Sequence, residues 1–309
     1  MTHQQVADVE SAFRQNGLDG RYLLEAFDLE IPRSTSLRLR GFTCRPASGF
    51  AGYYVNEKPG KEKIVLHFTA GHLRGDIQVL SSEERGKVSV AFVVARDGTI
   101  YQLFSSAAWS YHLGRGAAGG NEAQSKISIG IEISNYGPLT LNGRSLETAY
   151  STAEKPDVYC TLDDTGLYHE LAQPFRGYRY YAAYTGAQYD ALIVLLRYLT
   201  ATYAIPAEFL PESQRMETTE QAASFRGILS HVNFRTDKSD IGPAFDWARV
   251  IAGVQAAEYI PEERYASTMP VVRTRGLGAS AMRSEAEIED RFPGGAAPDS
   301  SSFPEADYD

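Results

Sequence analysis

The octapeptide IVLHFTAG at residues 64–71 decides how the rest of the chain is read. Ile64, Val65, Leu66 and Phe68 form a short apolar run broken only by His67 and closed by Ala70-Gly71. A run of this length, stopped by a turn residue, predicts a buried strand with His67 near its C-terminal end. A ring nitrogen held there by rigid backbone is well placed to be a first metal ligand.

Similar runs follow it. Residues 88–95 and 99–104 are apolar and β-branched, and Arg96-Asp97-Gly98 between them is a strong hairpin signal. ISIGIEI at 127–133 is a third strand, with Glu132 as its only charged residue, and a carboxylate in so apolar a run needs a reason. Thr185 and Gln188 form a capping box ahead of Tyr189, Leu192, Leu195, Leu196, Leu199 and Tyr203 at helical spacing, with Pro206 just beyond. Residues 227–230 approach His231 as a short apolar run, and 243–256 reads as a helix with Pro243 in its first turn. A short helix is expected at 4–16.

Three regions follow from this pattern. Residues 1–60 are expected to be an irregular lead-in with one short helix, since 31–55 mixes Arg, Gly, Pro and Tyr without period. Residues 61–258 form the main domain, with a polar, Tyr-rich insertion at about 137–184 lying over the core; such excursions often line binding sites. Residues 259–309 are a C-terminal extension, acidic and expected to be disordered from about 284, where eight acidic residues face one Arg.

The net charge of −9 argues against nucleic acid as a partner, because phosphate binding needs a basic face. Two cysteines far apart, Cys44 and Cys160, write neither a disulfide framework nor a thiolate cluster, and leave open one long-range bridge. No stretch reaches the ~18 apolar residues of a membrane span. The N-terminus lacks the basic and apolar segments of a secretory signal, so the chain is expected to be made in the cytoplasm.

Catalytic zinc takes about three protein ligands and leaves a position open. His3 and His169 have no metal-type neighbour, whereas His67 ends a strand and His231 begins a loop that runs through Lys238 to Asp240. Spacing alone leaves that loop equally readable as a satisfied surface loop with an Asp cap.

The segments IVLHFTAG, VAFVVARDGTIYQLF (90–104), AWSYHLG (108–114), SIGIEISN (128–135), YTGAQ (184–188) and SHVNFRTDKSDIGPAFDW (230–247) resemble, in order, the N-acetylmuramoyl-L-alanine amidases of the type 2 amidase family. That family has the T7 lysozyme-like and peptidoglycan recognition protein fold. The resemblance implies an α/β fold, a central mixed β-sheet flanked by helices with a zinc groove at one end of the sheet. It implies one Zn2+ per chain on His67, His231 and Asp240. Glu132 is the implied general base and Lys238 the implied oxyanion partner. His112, Trp109, Asn135 and Thr69 are implied groove residues, and His72 is expected to be a loop histidine near the groove. Some relatives use a Tyr where this chain has Val90.

The implied reaction is hydrolysis of the amide between N-acetylmuramic acid and L-alanine of the stem peptide. The implied substrate is peptidoglycan or a muropeptide. The alternatives are a non-catalytic muropeptide recognition module on the same fold, and a structural zinc domain with His72 or His112 as a fourth ligand. A monomer is expected, with no membrane insertion. The extra segments lean towards a lytic enzyme delivered by phage lysis or a secretion system, with delivery machinery or an immunity protein as further partners, over cytoplasmic muropeptide recycling.

Overall fold

The computed structural model describes residues 1–261 apart from 33 and 35, so the acidic tail lies outside the described residues. The chain opens with helix α1 (His3–Asn16), held at its start by a reciprocal box between Thr2 and Gln5 and ended by Gly17 in the left-handed region. Two strands follow, β1 (Tyr22–Glu30) and β2 (Arg38–Pro46). Next come β3 (Lys63–Phe68), α2 (Leu73–Leu80), and the hairpin of β4 (Phe92–Val94) and β5 (Ile100–Gln102). Helix α3 (Asn121–Ile127) runs directly into β6 (Ser128–Ile133).

After β6 the chain builds a second sheet from β7 (Pro138–Asn142), β8 (Ser145–Glu147), β9 (Val158–Thr161), β10 (Tyr168–Phe175) and β11 (Tyr178–Ala182). It returns through α4 (Gly186–Tyr203), the single turn α5 (Gln221–Ser224), β12 (Gly227–Ser230) and α6 (Trp247–Gln255).

The main sheet has the order β1-β2-β5-β4-β6-β3-β12. Strand β3 is parallel to both β6 and β12, β4 is parallel to β6, and β5 is antiparallel to β4. The expected α/β class, a mixed sheet flanked by helices, is therefore the fold. The carboxyl ends of β3, β6 and β12 lie side by side, and open sheets of this kind bind ligands at such ends.

Alternation sorts the central strands. Ile64 and Leu66 of β3, with Ile129, Ile131 and Ile133 of β6, join the large core that α4 and α6 complete, whereas Val65 belongs to a smaller cluster with Leu113, Leu229 and Phe234. The residues in between, Lys63 and His67 on β3 and Ser128, Gly130 and Glu132 on β6, therefore share the second face. Two lysines are buried near there. Lys61 Nζ donates to the carbonyls of Ala108, Lys126 and Ser128, and Lys63 Nζ to Gln124 Oε1 and the carbonyls of Ala222 and Ala223. Three oxygens match the three protons of each ammonium, which is what allows these groups inside.

Two expectations need correcting. The lead-in is not irregular: β2 pairs in parallel with β5 and β1 with β2, so residues 22–46 extend the main sheet. Its alternation is masked because Asp28, on β1, is buried by ion pairs to Arg38 and Arg40 across the strands. The insertion, whose structure the sequence left open, is a five-stranded antiparallel sheet with its own cluster around Tyr136, Leu139, Leu146 and Tyr159. The last helix starts at Trp247 rather than near Pro243, because the Asp246 carboxylate caps Arg249 N–H.

Cys44 and Cys160 are both free, buried thiols in different clusters. Among the described residues no helix is long and apolar enough to cross a membrane.

Helix α1 docks through a buried carboxyl. Glu10 Oε2 accepts the Arg96 backbone N–H, and burial, partly opposed by Arg96, pushes the Glu10 carboxyl up from 4.5 to about 8. With the folded value above the unfolded one, this group's contribution to stability is complete below about 4.5 and is lost as pH rises through about 8. Glu10→Gln keeps an acceptor but cannot ionise. Its urea midpoint should therefore exceed the parent's at pH near 9 by more than at pH near 5; equal differences at both would remove Glu10 as the cause.

Candidate metal centre

His67 stands one residue from the end of β3, and its neighbour across the parallel ladder is Glu132 of β6. His231 is the first residue after β12, in a 3-10 turn (His231–Asn233) fixed by a reciprocal Ser230–Asn233 box. The loop from there returns because Val232 N–H donates to the Asp240 carbonyl at 2.7 Å, while Tyr184 Oη donates to the Ile241 carbonyl at 2.8 Å. Two adjacent strands and one pinned loop thus bring three donors together.

The donors form a nearly equilateral triangle. His67 Nδ1 lies 3.0 Å from His231 Nδ1 and 3.1 Å from Asp240 Oδ2, and His231 Nδ1 lies 3.0 Å from the same oxygen. All three residues are buried, and among the described residues they are the one group of this kind. Around a zinc ion with bonds of about 2.0 Å, tetrahedral ligand atoms stand about 3.3 Å apart, so small shifts suffice.

The outer ring nitrogens settle what the inner ones carry. His231 Nε2 faces the Leu113 carbonyl at 3.0 Å, which can only accept, so the ring proton sits there. His67 Nε2 faces His112 Nδ1 at 3.0 Å, and His112 Nε2 faces Ser128 Oγ at 2.8 Å. Ser128 Oγ donates its proton to the Gln124 carbonyl at 2.7 Å, so it accepts from His112 Nε2–H. His112 Nδ1 must then accept from His67 Nε2–H. Both inner Nδ1 atoms are left with lone pairs aimed at each other and at a carboxylate oxygen. Three converging acceptors repel unless a cation joins them, and the donor set of two imidazoles and one carboxylate suits zinc.

Electrostatics agree. Burial, then His231, drives His67 down to about 4, against the pull of Asp240, so its ring is neutral. Burial raises the Asp240 carboxyl, but the His231 and His67 rings beside it outweigh burial and hold the group ionised, below the usual carboxylate range. Glu132 goes the other way: burial first, then Asp240 and Asp76, raise it well above 4.5, with Lys238 opposing. Its Oε2 is buried without a hydrogen-bond partner.

The centre opens into a groove of about 660 Å³. His67, His231, Asp240, Glu132, Lys238, His112, Thr69, His72 and Val90 all line it. Trp109 and Asn135, expected there, do not. Trp109 is buried, its Nε1 on Glu57 and the Lys126 ammonium over its ring. Asn135 is spent on the backbone, donating to the carbonyls of Ala182 and Ala183 and accepting from Gly137 N–H. Asp237 pairs with Arg235. His112 cannot serve as a fourth ligand while its Nδ1 accepts from His67.

The groove also takes residues the sequence did not single out. Asp76 on α2 accepts from Ser134 Oγ at 2.9 Å, and burial raises its carboxyl to about 6. Tyr136, Tyr150 and Asp157 bring the edge of the second sheet to the rim. Arg85 and Arg235 add positive charge. Only the general rule that insertions line sites pointed to the rim; nothing in local sequence marks these side chains.

The profile of a family described as N-acetylmuramoyl-L-alanine amidase matches residues 57–243. No curated protein sequence matches the chain. Among solved structures, the chain is similar to the N-acetylmuramyl-L-alanine amidase AmiD from E. coli, solved in complex with anhydro-N-acetylmuramic acid-L-Ala-D-gamma-Glu-L-Lys. Identity is 21% and the TM-score 0.41, over 64% of this chain and 59% of that one. It is also similar to a selenomethionine derivative of AmpD, at 20% identity and TM-score 0.37, over 66% of this chain and 91% of that one. A third similar structure is the N-acetylmuramoyl-L-alanine amidase LysC from Clostridium intestinale, at 16% identity and TM-score 0.35, over 63% and 85%. The chain thus spans about 59% of the length of the AmiD structure.

Proposed function

The chain belongs to the N-acetylmuramoyl-L-alanine amidase family, and on that premise we propose that it is a zinc-dependent hydrolase of the amide between N-acetylmuramic acid and the L-alanine of a stem peptide. The observation that carries this reading is the convergence of the His67, His231 and Asp240 lone pairs beside the partnerless Glu132 oxygen in one groove.

His67, His231 and Asp240 would hold the ion. A zinc ion there supplies Lewis acidity for the amide carbonyl and lowers the pKa of its water towards ~7. Glu132, next to His67 on the parallel ladder, takes the proton of the attacking water and passes it to the departing amine of L-alanine. Its burial, which disfavours the charged carboxylate, suits the second half of that task, in which the proton is held until the amine departs. Lys238, at the groove, faces the negative charge that grows on the amide oxygen. Val90, at the position where the resemblance puts a Tyr in some relatives, lines the groove without a titratable group, which leaves the proton transfers to Glu132.

The substrate classes are a muropeptide or peptidoglycan itself, and a groove of about 660 Å³ suits a sugar with part of its peptide. The test is release of stem peptide from purified muropeptide and from intact sacculi. Dialysis against a chelator should abolish release and added Zn2+ restore it. Release undiminished after the metal is stripped would overturn the reading, and faster release from soluble muropeptide than from sacculi would assign the smaller substrate.

A further inference from the structure

The segment Tyr111–Gly114 does more than line the groove. Its two middle residues meet the two ring ligands from behind: the His112 side chain takes His67 Nε2–H, and the Leu113 carbonyl takes His231 Nε2–H. We propose that His112 is a positioning residue, whose imidazole, backed by Ser128 and the α3 carbonyl of Gln124, locks His67 in the tautomer that presents Nδ1 to the metal. The inference rests on the metal reading of His67, His231 and Asp240, and it adds a residue that acts on the ion only through His67.

Several features converge on this role. Every proton in the chain His67–His112–Ser128–Gln124 has one direction, because the last acceptor is a carbonyl that cannot donate. A lone imidazole chooses poorly between its two neutral tautomers, and a partner on one nitrogen decides which is available for a metal. The alternation of β6 supplies the space. On the face carrying Glu132, the residue two back is Gly130, where a Cβ would stand 3.1 Å from His112 Cγ and 2.9 Å from Val90 Cγ1. Two further back is Ser128, the anchor. The pattern Ser128-x-Gly130-x-Glu132 therefore reads along one face as anchor, gap for the His112 ring, and base.

The anchor is itself held. Ser125 Oγ accepts His112 N–H, and Asn121 Oδ1 accepts from Leu113 N–H, Gly114 N–H and Ser125 Oγ, so α3 fixes the strap's backbone. The buried ammonium groups tie α3 in turn, Lys61 at the carbonyls of Lys126 and Ser128 and Lys63 at Gln124 Oε1. A histidine that merely filled space would need none of this directional order.

The experiment compares the full-length parent, His112→Ala, His112→Gln and Ser128→Ala by competition for Zn2+ against a chelator and by nitrogen NMR of His67 in the zinc-free proteins. His112→Ala should weaken zinc binding about 10–100-fold and turn His67 from a single Nε2–H tautomer into a mixture. His112→Gln, whose amide oxygen can accept the same proton, should recover most of the affinity, and free imidazole should partly rescue His112→Ala. If His112→Ala does not fold, Ser128→Ala is read instead: the His112 tautomer should become mixed, with a smaller loss of affinity. A folded His112→Ala that binds zinc as tightly as the parent with the His67 tautomer unchanged overturns the proposal, as does a silent Ser128→Ala where that variant is read. A parent that binds no zinc at all sinks the metal reading instead, so the two failures are distinct.

Discussion

Replacing Glu132 by Gln should lower the rate of amide hydrolysis by about 10²–10⁴-fold while the protein keeps its full complement of zinc. The substitution preserves shape and removes only the ability to take a proton. Because Glu132 stands beside His67 on the ladder but is not one of the three converging donors, the metal should not register the change. The same variant should gain stability. Burial first, then the charges of Asp240 and Asp76, raise the Glu132 carboxyl, so in the zinc-free protein its contribution is full at low pH and is lost as pH rises through the elevated folded value. Gln cannot ionise and escapes that loss. Zinc-free Glu132→Gln should therefore resist urea better than the parent at alkaline pH, with the difference closing as pH falls. Activity exchanged for stability at one position is the mark of a group kept for chemistry. A variant that hydrolyses muropeptide at the parent's rate would remove Glu132 from the mechanism.

How far this could be seen in advance differs between the centre and its surroundings. His67 and Glu132 stood out because strands of the central sheet write themselves as short apolar runs, and a polar residue inside such a run is conspicuous; His231, just past β12, was singled out only by the resemblance. Helix α4 was legible from its capping box and its spacing. Strands β1 and β2 were not, since Asp28, Arg38 and Arg40 neutralise one another across the ladder and look, in sequence, like a polar stretch. The second sheet escaped because β10 is mostly exposed and its strands bury little against the main core, so neither period dominates. Trp109 and Asn135 show the opposite error. Both sit in blocks that carry the resemblance, yet one is consumed by Glu57 and Lys126 and the other by three backbone groups, constraints that exist only once distant segments meet. The positioning part of His112 is of that kind too, since it depends on Ser128 and Gln124 reaching it from another element.

His231→Ala should abolish both hydrolysis and zinc binding, and the way stability responds separates a ligand from a structural histidine. A ligand that binds only the folded chain stabilises it by about 2.7 kcal/mol when present at a hundred times its dissociation constant. The parent should show a zinc-dependent rise in its unfolding midpoint of that order, and His231→Ala should show none. In the absence of zinc the comparison is expected to be far milder. Truncation leaves the Leu113 carbonyl without its donor, which costs stability by about 1–3 kcal/mol, but it also removes one of three lone pairs that repel when no cation joins them. The two effects oppose each other. If His231 were only a packing residue, its loss would lower the midpoint equally with and without zinc, and the zinc-dependent increment would survive. Titrating zinc against both proteins while following urea unfolding reads that increment directly, and its persistence in His231→Ala would take the metal away from this triangle of donors.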